Sequence, residues 1–142
     1  MHLYCVQIAR SVVMRGFAEA ASPFEAVQAV RTGLPVATVD ALLESGQLTA
    51  AELDRLAIPR KTLAHRRQNG RLSPEQSDRL LRIMRVLELA REVFGNPEKA
   101  KIWLRRPSKP LRDQAPLDLL DTDIGAREVE KLLGHIAHGI AA

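Results

Sequence analysis

The stretch from Arg60 to Arg71, RKTLAHRRQNGR, carries five cations and no acid. That exceeds the net charge of the whole chain, +4 at neutral pH, so the basic character is local. The residue types suit one kind of chemistry. Arginine and lysine neutralise phosphates or donate to guanine O6 and N7, and glutamine pairs with adenine. Read as a helix beginning near Arg60, the segment turns Leu63 inward and leaves Lys61, Thr62, His65, Arg66 and Gln68 outward at helical spacing. With Arg60 and Arg67 these form the candidate contacts to DNA: Arg60, Lys61, Thr62, His65, Arg66, Arg67 and Gln68. A charge run is also what a solvated face looks like, and only the neighbouring elements can decide between the two.

Those elements favour DNA. LTAAELDRLAI reads as a short helix with Thr49 as N-cap and Glu52 three residues on, the reciprocal pattern of a capping box, and with Leu53, Leu56 and Ala57 on one face. Pro59 stops that helix, since it lacks an N–H and biases Ile58 away from helical angles, and it sits well at the start of the next. Two short helices joined by about three residues are what a helix-turn-helix requires, the second entering the major groove.

On either side the chain also reads as helical. SPEQSDRLLRIMRVLELAREVFG opens with Ser73 as N-cap, Pro74 and Gln76 and ends at Gly95; its apolar residues cover most of the circumference, as expected of a spine packed on two sides. Upstream, Pro23 and Pro35 mark two helix starts, and the helices stop at glycines. Their apolar faces, Phe24, Val27, Val30, Val36, Val39, Leu42 and Leu43, need a partner: the segment either packs on the spine helix or forms a subunit contact, and the second suits a DNA reader that acts as a symmetric dimer. Periodicity leaves residues 3–13 open between a strand and a first helix turn.

After Gly95, NPEKAKIWL is a helix with Asn96 as N-cap, Pro97 and Glu98 in its first turn and Ala100, Trp103 and Leu104 on its inner face. Pro107, Pro110 and Pro116 stiffen the connector that follows. The last helix has Thr122 as N-cap, with Val129, Leu132, Leu133, Ile136 and Ile140 at amphipathic spacing. His135 and His138 lie three apart, but without a third ligand they are read as cations at the negative helix end, and no metal is expected.

The totals bound the rest. A chain of 142 residues, 46% hydrophobic and 27% charged, should fold. No apolar run approaches the ~18 residues of a membrane span, and the opening MHLYCVQIARSVVMRGFAEA is interrupted by Arg10 and Arg15, unlike a secretory signal; a cytoplasmic location is expected. Cys5 is alone, so no intramolecular disulfide can form. No phosphate-binding glycine loop, activated nucleophile or acid–base cluster is visible, so neither an enzyme nor a cofactor is expected.

The C-terminal third resembles a known family. EVFGNPEKAKIWLRRPSKPL followed by APLDLLDTDIGAREVEKLLGHIAHGI is similar to the toxin-binding domain of Xre/MbcA/ParS antitoxins, on Phe94, Gly95, Ala100, Trp103, Leu104, Pro107, Leu111, Pro116, Leu117, Leu120, Gly125, Val129, Leu133 and Gly139. The upstream basic segment fits the same architecture. One departure is Arg112-Asp113-Gln114-Ala115, where the family commonly carries a glycine. The resemblance implies an all-α, Xre/Cro-like organisation: an N-terminal helical dimerisation segment over 1–46, a helix-turn-helix region with the spine helix over 47–92, and a toxin-binding domain over 93–142. It implies an antitoxin that blocks the active site of a RES-domain, NAD-degrading toxin and represses its own operon as a homodimer on operator DNA. The toxin-binding residues it implies are Trp103, Arg105, Arg106, Lys109, Leu111, Arg112, Gly139 and Ile140, the basic ones suiting an acidic rim or a phosphate-recognising neighbourhood and equally suiting solvent. The rival reading is a stand-alone repressor whose C-terminal domain senses a ligand or oligomerises.

Overall fold

The structure is a computed structural model that describes residues 22–139. The expectations for residues 3–13, Cys5 and Ile140 lie outside the described residues. Within them the chain forms seven α-helices and two short 3-10 turns, joined by two isolated β-bridges but no strand. It falls into two compact units, one up to Leu81 and one from Arg82.

The first unit contains α1 (Pro23–Thr32), α2 (Val36–Glu44), α3 (Ala50–Leu56) and α4 (Arg60–Asn69), followed by the opening turns of α5 (Pro74–Phe94). Side chains at the N-caps set most starts. Ser22 accepts from the Glu25 N–H, Thr49 and Glu52 form the reciprocal box that the sequence predicts, and Ser73 and Gln76 form a second one at the head of α5. The core is built from Leu34, Val36, Val39, Leu42, Leu48, Leu53, Leu56, Ile58, Leu72 and Leu80, all nearly inaccessible. Of the upstream apolar residues, Val36, Val39 and Leu42 join this core, whereas Phe24 and Val27 on α1 stay exposed.

A short backbone pairing closes the unit. The Leu72 N–H donates to the Leu34 carbonyl at 2.9 Å, and the Val36 N–H donates to the Gly70 carbonyl at 2.9 Å. Gly33 makes the approach possible: it sits at φ +95°, and a Cβ there would strike the Leu72 carbonyl oxygen. The buried Leu34 N–H is satisfied by the Ser77 hydroxyl at 2.8 Å, from a serine with no exposed surface.

The second unit contains the rest of α5, then α6 (Pro97–Arg105), 3-10 turns at Lys109–Leu111 and Pro116–Leu119, and α7 (Asp123–Ala137). Asn96 caps α6 through the Glu98 and Lys99 N–H groups, and Thr122 caps α7 through the Gly125 N–H. Ile83, Met84, Val86, Leu87, Ala90, Ala100, Leu104, Leu117, Leu120, Ala126, Val129, Leu132 and Leu133 are buried. The second 3-10 turn touches both α6 and α7. Arg85 binds Glu130 at 2.8 Å, and Arg82 lies 3.7 Å from Asp123, so ion pairs also join α5 to α7. Gly125 lies so close to the Leu119 carbonyl that a Cβ would collide with its oxygen and carbon. The glycine of the family pattern is therefore a packing requirement at the head of α7.

Two substitutions test these contacts by chemical denaturation. Ser77→Ala removes the only side chain that satisfies the buried Leu34 N–H and should cost about 1–3 kcal/mol, the usual penalty for an orphaned buried donor; an unchanged midpoint would show that another group takes over. Gly125→Ala should cost about 1–3 kcal/mol through overpacking against rigid backbone, and a neutral result would mean that α7 can slide away from the 3-10 turn.

Candidate functional site

The basic segment is a helix, α4, joined to α3 by Ala57, Ile58 and Pro59. Ala57 and Ile58 are buried, which pins the turn from inside. Pro59 supplies no side-chain cap; instead the Asp54 carboxylate on α3 accepts the Arg60 N–H at 2.7 Å. A carboxylate of the preceding helix thus holds the first N–H of α4, the positive end of its dipole, and fixes how the helix starts. At the other end Gly70 terminates α4 in the left-handed conformation, and its carbonyl takes the Val36 N–H.

No residue of α4 is fully buried. Lys61, His65 and Gln68, at i, i+4 and i+7, form an exposed ridge, and their side chains make no hydrogen bond or ion pair with described residues. Arg60 is likewise exposed with an unengaged side chain, while Thr62 and Leu63 are half-buried. The two central arginines differ from the rest. Arg67 is tied to Asp40 on α2 by a bidentate pair, Nη1–Oδ2 at 3.0 Å and Nη2–Oδ1 at 2.8 Å. Hydrogen bonding to Asp40 raises the Arg67 pKa above its ordinary value despite some desolvation, with the Asp40 charge adding to the rise, so Arg67 stays cationic. Arg66 is half-buried, with its Nε enclosed and unpartnered. Arg71 donates to the Gly33 carbonyl at 2.9 Å. Five cations therefore divide into two groups. Arg60 and Lys61 project freely at the start of α4, while Arg66, Arg67 and Arg71 lie partly against the unit's own surface. The sequence reading missed Asp40 and Asp54, whose only sequence signal is being acids on the two preceding helices.

The second candidate surface follows Trp103. The indole is half-buried against Phe94, ring centroids 5.5 Å apart and tilted by 46°, so Trp103 mainly closes the unit's own core. Arg105 is engaged by the Lys101 carbonyl at 3.1 Å. Leu111 is buried, which assigns it to anchoring the connector from inside; the expectation that it meets a partner does not suit that placement. Gly139 is exposed, with φ +69°, two residues past the end of α7. Arg106, Lys109 and Arg112 are exposed and make no hydrogen bond or ion pair through their side chains with described residues.

The proline connector is closed into a small hairpin. Ser108 and Gln114 form a bridge, the Ser108 N–H donating to the Gln114 carbonyl at 3.0 Å, and the Asp113 N–H donates back to the Ser108 carbonyl at 2.9 Å. The turn needs two successive positive φ angles, and Arg112 (55°) and Asp113 (61°) supply them. This is where the sequence departs from a glycine. The left-handed conformation costs an L-residue about 1–2 kcal/mol, a cost that glycine avoids. Among the described residues, no group of three or more His, Cys, Asp or Glu is arranged to hold a metal, and no helix is long and apolar enough to cross a membrane.

Comparison with known proteins maps onto both surfaces. Residues 25–85 match the family described as an antitoxin Xre-like helix-turn-helix domain, which includes α3, the turn and α4. Residues 89–139 match the antitoxin Xre/MbcA/ParS C-terminal toxin-binding domain, which includes Trp103 and the hairpin. An Antitoxin Xre of Yersinia enterocolitica is 36% identical over 117 residues, covering 80% of this chain and 79% of the relative. Another, of Pseudomonas putida, is 35% identical over 132 residues, covering 92% of this chain and 82% of the relative. A third, of Photorhabdus laumondii, is 34% identical over 113 residues, covering 78% and 76%. With a helix-turn-helix presenting free polar and basic side chains, a separate toxin-binding unit and this degree of identity along most of its length, the chain belongs to the Xre antitoxin family and acts by binding rather than by catalysis.

Proposed function

We propose that this chain neutralises a RES-domain toxin that degrades NAD, by covering the entrance of the toxin's active site with its C-terminal unit, and that it represses its own operon through α4. The observation that carries the reading is the separation of two unsatisfied surfaces on two compact units: the Lys61, His65 and Gln68 ridge in the first, and the cationic hairpin in the second. The ridge offers one long cation for a phosphate or guanine and one amide of the kind that pairs with adenine. Arg67, paired with Asp40, has its charge offset by that carboxylate and fixes the orientation of α4 without adding net charge. The rigid hairpin suits a partner that must be met without further ordering, since a preorganised loop loses less entropy on docking.

The test is co-expression of the chain with a RES-domain protein, taken from the neighbouring gene if one is encoded there. Wild-type chain should restore growth and the cellular NAD level; failure to do so with a stable, soluble chain would remove the toxin assignment. In the same background, Lys61→Glu combined with Gln68→Ala should weaken operator binding by about 10–100-fold and shallow its salt dependence, while neutralisation persists. Loss of both activities together would contradict the assignment of the two functions to separate surfaces.

Operator recognition is assigned to a homodimer, with the subunit contact in residues 1–46. Helix α1 supports this choice: it buries none of its residues, and Phe24 is 81% and Val27 43% exposed on it. A ten-residue helix of that kind is marginal on its own, so a covering surface is expected. Phe24→Asp should shift the chain toward monomer in light scattering and weaken binding to a two-half-site operator; a dimer unaffected by the change would place the contact elsewhere.

A further inference from the structure

Helix α6 uses one face for the core and leaves the other uncovered. Ala100 and Leu104 are buried and Trp103 rests on Phe94. On the opposite side Lys99 and Ile102, three apart, share a face, and Arg106 follows as the extended C-cap of the helix. Ile102 is 55% exposed, and the flanking Lys99 and Arg106 side chains make no hydrogen bond or ion pair with described residues. Glu98, the one acid of α6, is held by Lys101 at 3.4 Å. Beyond Arg106 the chain enters the hairpin, where Lys109 and Arg112 are again exposed and unpaired.

An exposed isoleucine alone needs no explanation. Two further observations single this one out. The chain from Glu98 to Asp113 carries Lys99, Arg106, Lys109 and Arg112 unpaired and, as acids, only Glu98, held by Lys101, and Asp113; that excess of cations is unfavourable to bring together unless something anionic meets it. The hairpin that follows α6 also holds two non-glycine residues in the left-handed region, at a place where a glycine would relieve the strain. Backbone strain of this kind persists where the conformation itself is used.

We propose that the outer face of α6 and the Ser108–Gln114 hairpin form one docking surface for the toxin, with Ile102 as its apolar anchor and Lys99, Arg106, Lys109 and Arg112 as its rim. The inference rests on the toxin-neutralising reading and adds to it the chemistry of the partner: an apolar recess bordered by carboxylates. An anchor that fills a recess governs dissociation, whereas rim charges steer association and act in a salt-dependent way. DNA is the other polyanion in play. A helix face centred on an isoleucine, with no side-chain amide beside it on α6, offers a base edge little to pair with; its cations suit a phosphate as well as a carboxylate, so the operator measurement below separates the two.

The experiment follows association and dissociation of the full chain on the purified RES-domain protein by surface plasmon resonance, with operator binding and melting temperature measured in parallel. Ile102→Ala should speed dissociation at least tenfold and leave the melting temperature unchanged, because the side chain is exposed in the free chain. Lys99→Glu with Arg106→Glu should slow association at least tenfold at low salt, with the difference fading at high salt and operator affinity unaltered. Asp113→Gly should raise the melting temperature without tightening the complex. Wild-type chain that binds the toxin, with both sets of α6 variants binding at wild-type rates, overturns the surface while leaving the toxin reading intact. Wild-type chain that fails to bind removes the toxin reading, and the surface with it. Charge reversals that weaken operator binding instead would assign the face to DNA and overturn the proposal as well, and a complex that tightens in Asp113→Gly would overturn the role given to the strained turn.

Discussion

The first unit depends on a two-rung backbone contact between the segments around Leu34–Val36 and Gly70–Leu72. It ties the end of α4 to the start of α2, and it exists only because Gly33 allows the carbonyl of Leu72 to come close and Ser77 satisfies the Leu34 N–H that would otherwise be buried alone. With Asp54 on the Arg60 N–H at the other end and Asp40 on Arg67 near its last turn, α4 is fixed at three points along its length. That explains how a helix with no fully buried residue can keep a defined orientation. Because its fixing contacts use backbone groups and two acids borrowed from neighbouring helices, Lys61, His65 and Gln68 remain free for an external ligand.

The second unit solves a similar problem by different means. Its connector is closed by the Ser108–Gln114 bridge, anchored inward by Leu111, and followed by a 3-10 turn that meets α7 at a glycine with no room for a Cβ. A loop held in this way presents Arg106, Lys109 and Arg112 at nearly constant positions. The Asp40–Arg67 pair, with both side chains almost half exposed, is a modest stabiliser whose main effect is geometric. Strong local constraint of loops and helix ends, rather than large core volume, is what this small protein uses to prepare its binding surfaces.

Local chemistry was legible in the sequence. Thr49, Ser73, Asn96 and Thr122 all cap the helices that they were expected to start, because a cap acts over three residues and leaves its pattern in a four-residue window. The proline turn and the basic helix were readable for the same reason, and the toxin-binding domain was readable because many spaced residues match at once. Contacts across long separations were not. Asp40 meets Arg67 27 residues on, and Ser77 reaches back 43 residues to Leu34, with no periodicity to announce either. Burial also escaped the sequence reading at Leu111, an apolar residue in a polar connector whose direction depends on the hairpin. The two left-handed residues were hidden because arginine has no preference for that conformation and aspartate only a weak one. Ile102 was passed over because a single apolar residue on the outer, charged face of α6 carries no pattern by itself.

The claim that ties these results together is that each unit carries one partner's surface, and amide hydrogen exchange of the full chain tests it most directly. With operator DNA, exchange should slow over Arg60–Asn69 and its preceding turn and stay unchanged from Pro97 to Gln114. With the toxin, the pattern should reverse. Protection of the same segment by both partners, or toxin-induced protection confined to residues before Leu81, would contradict the account.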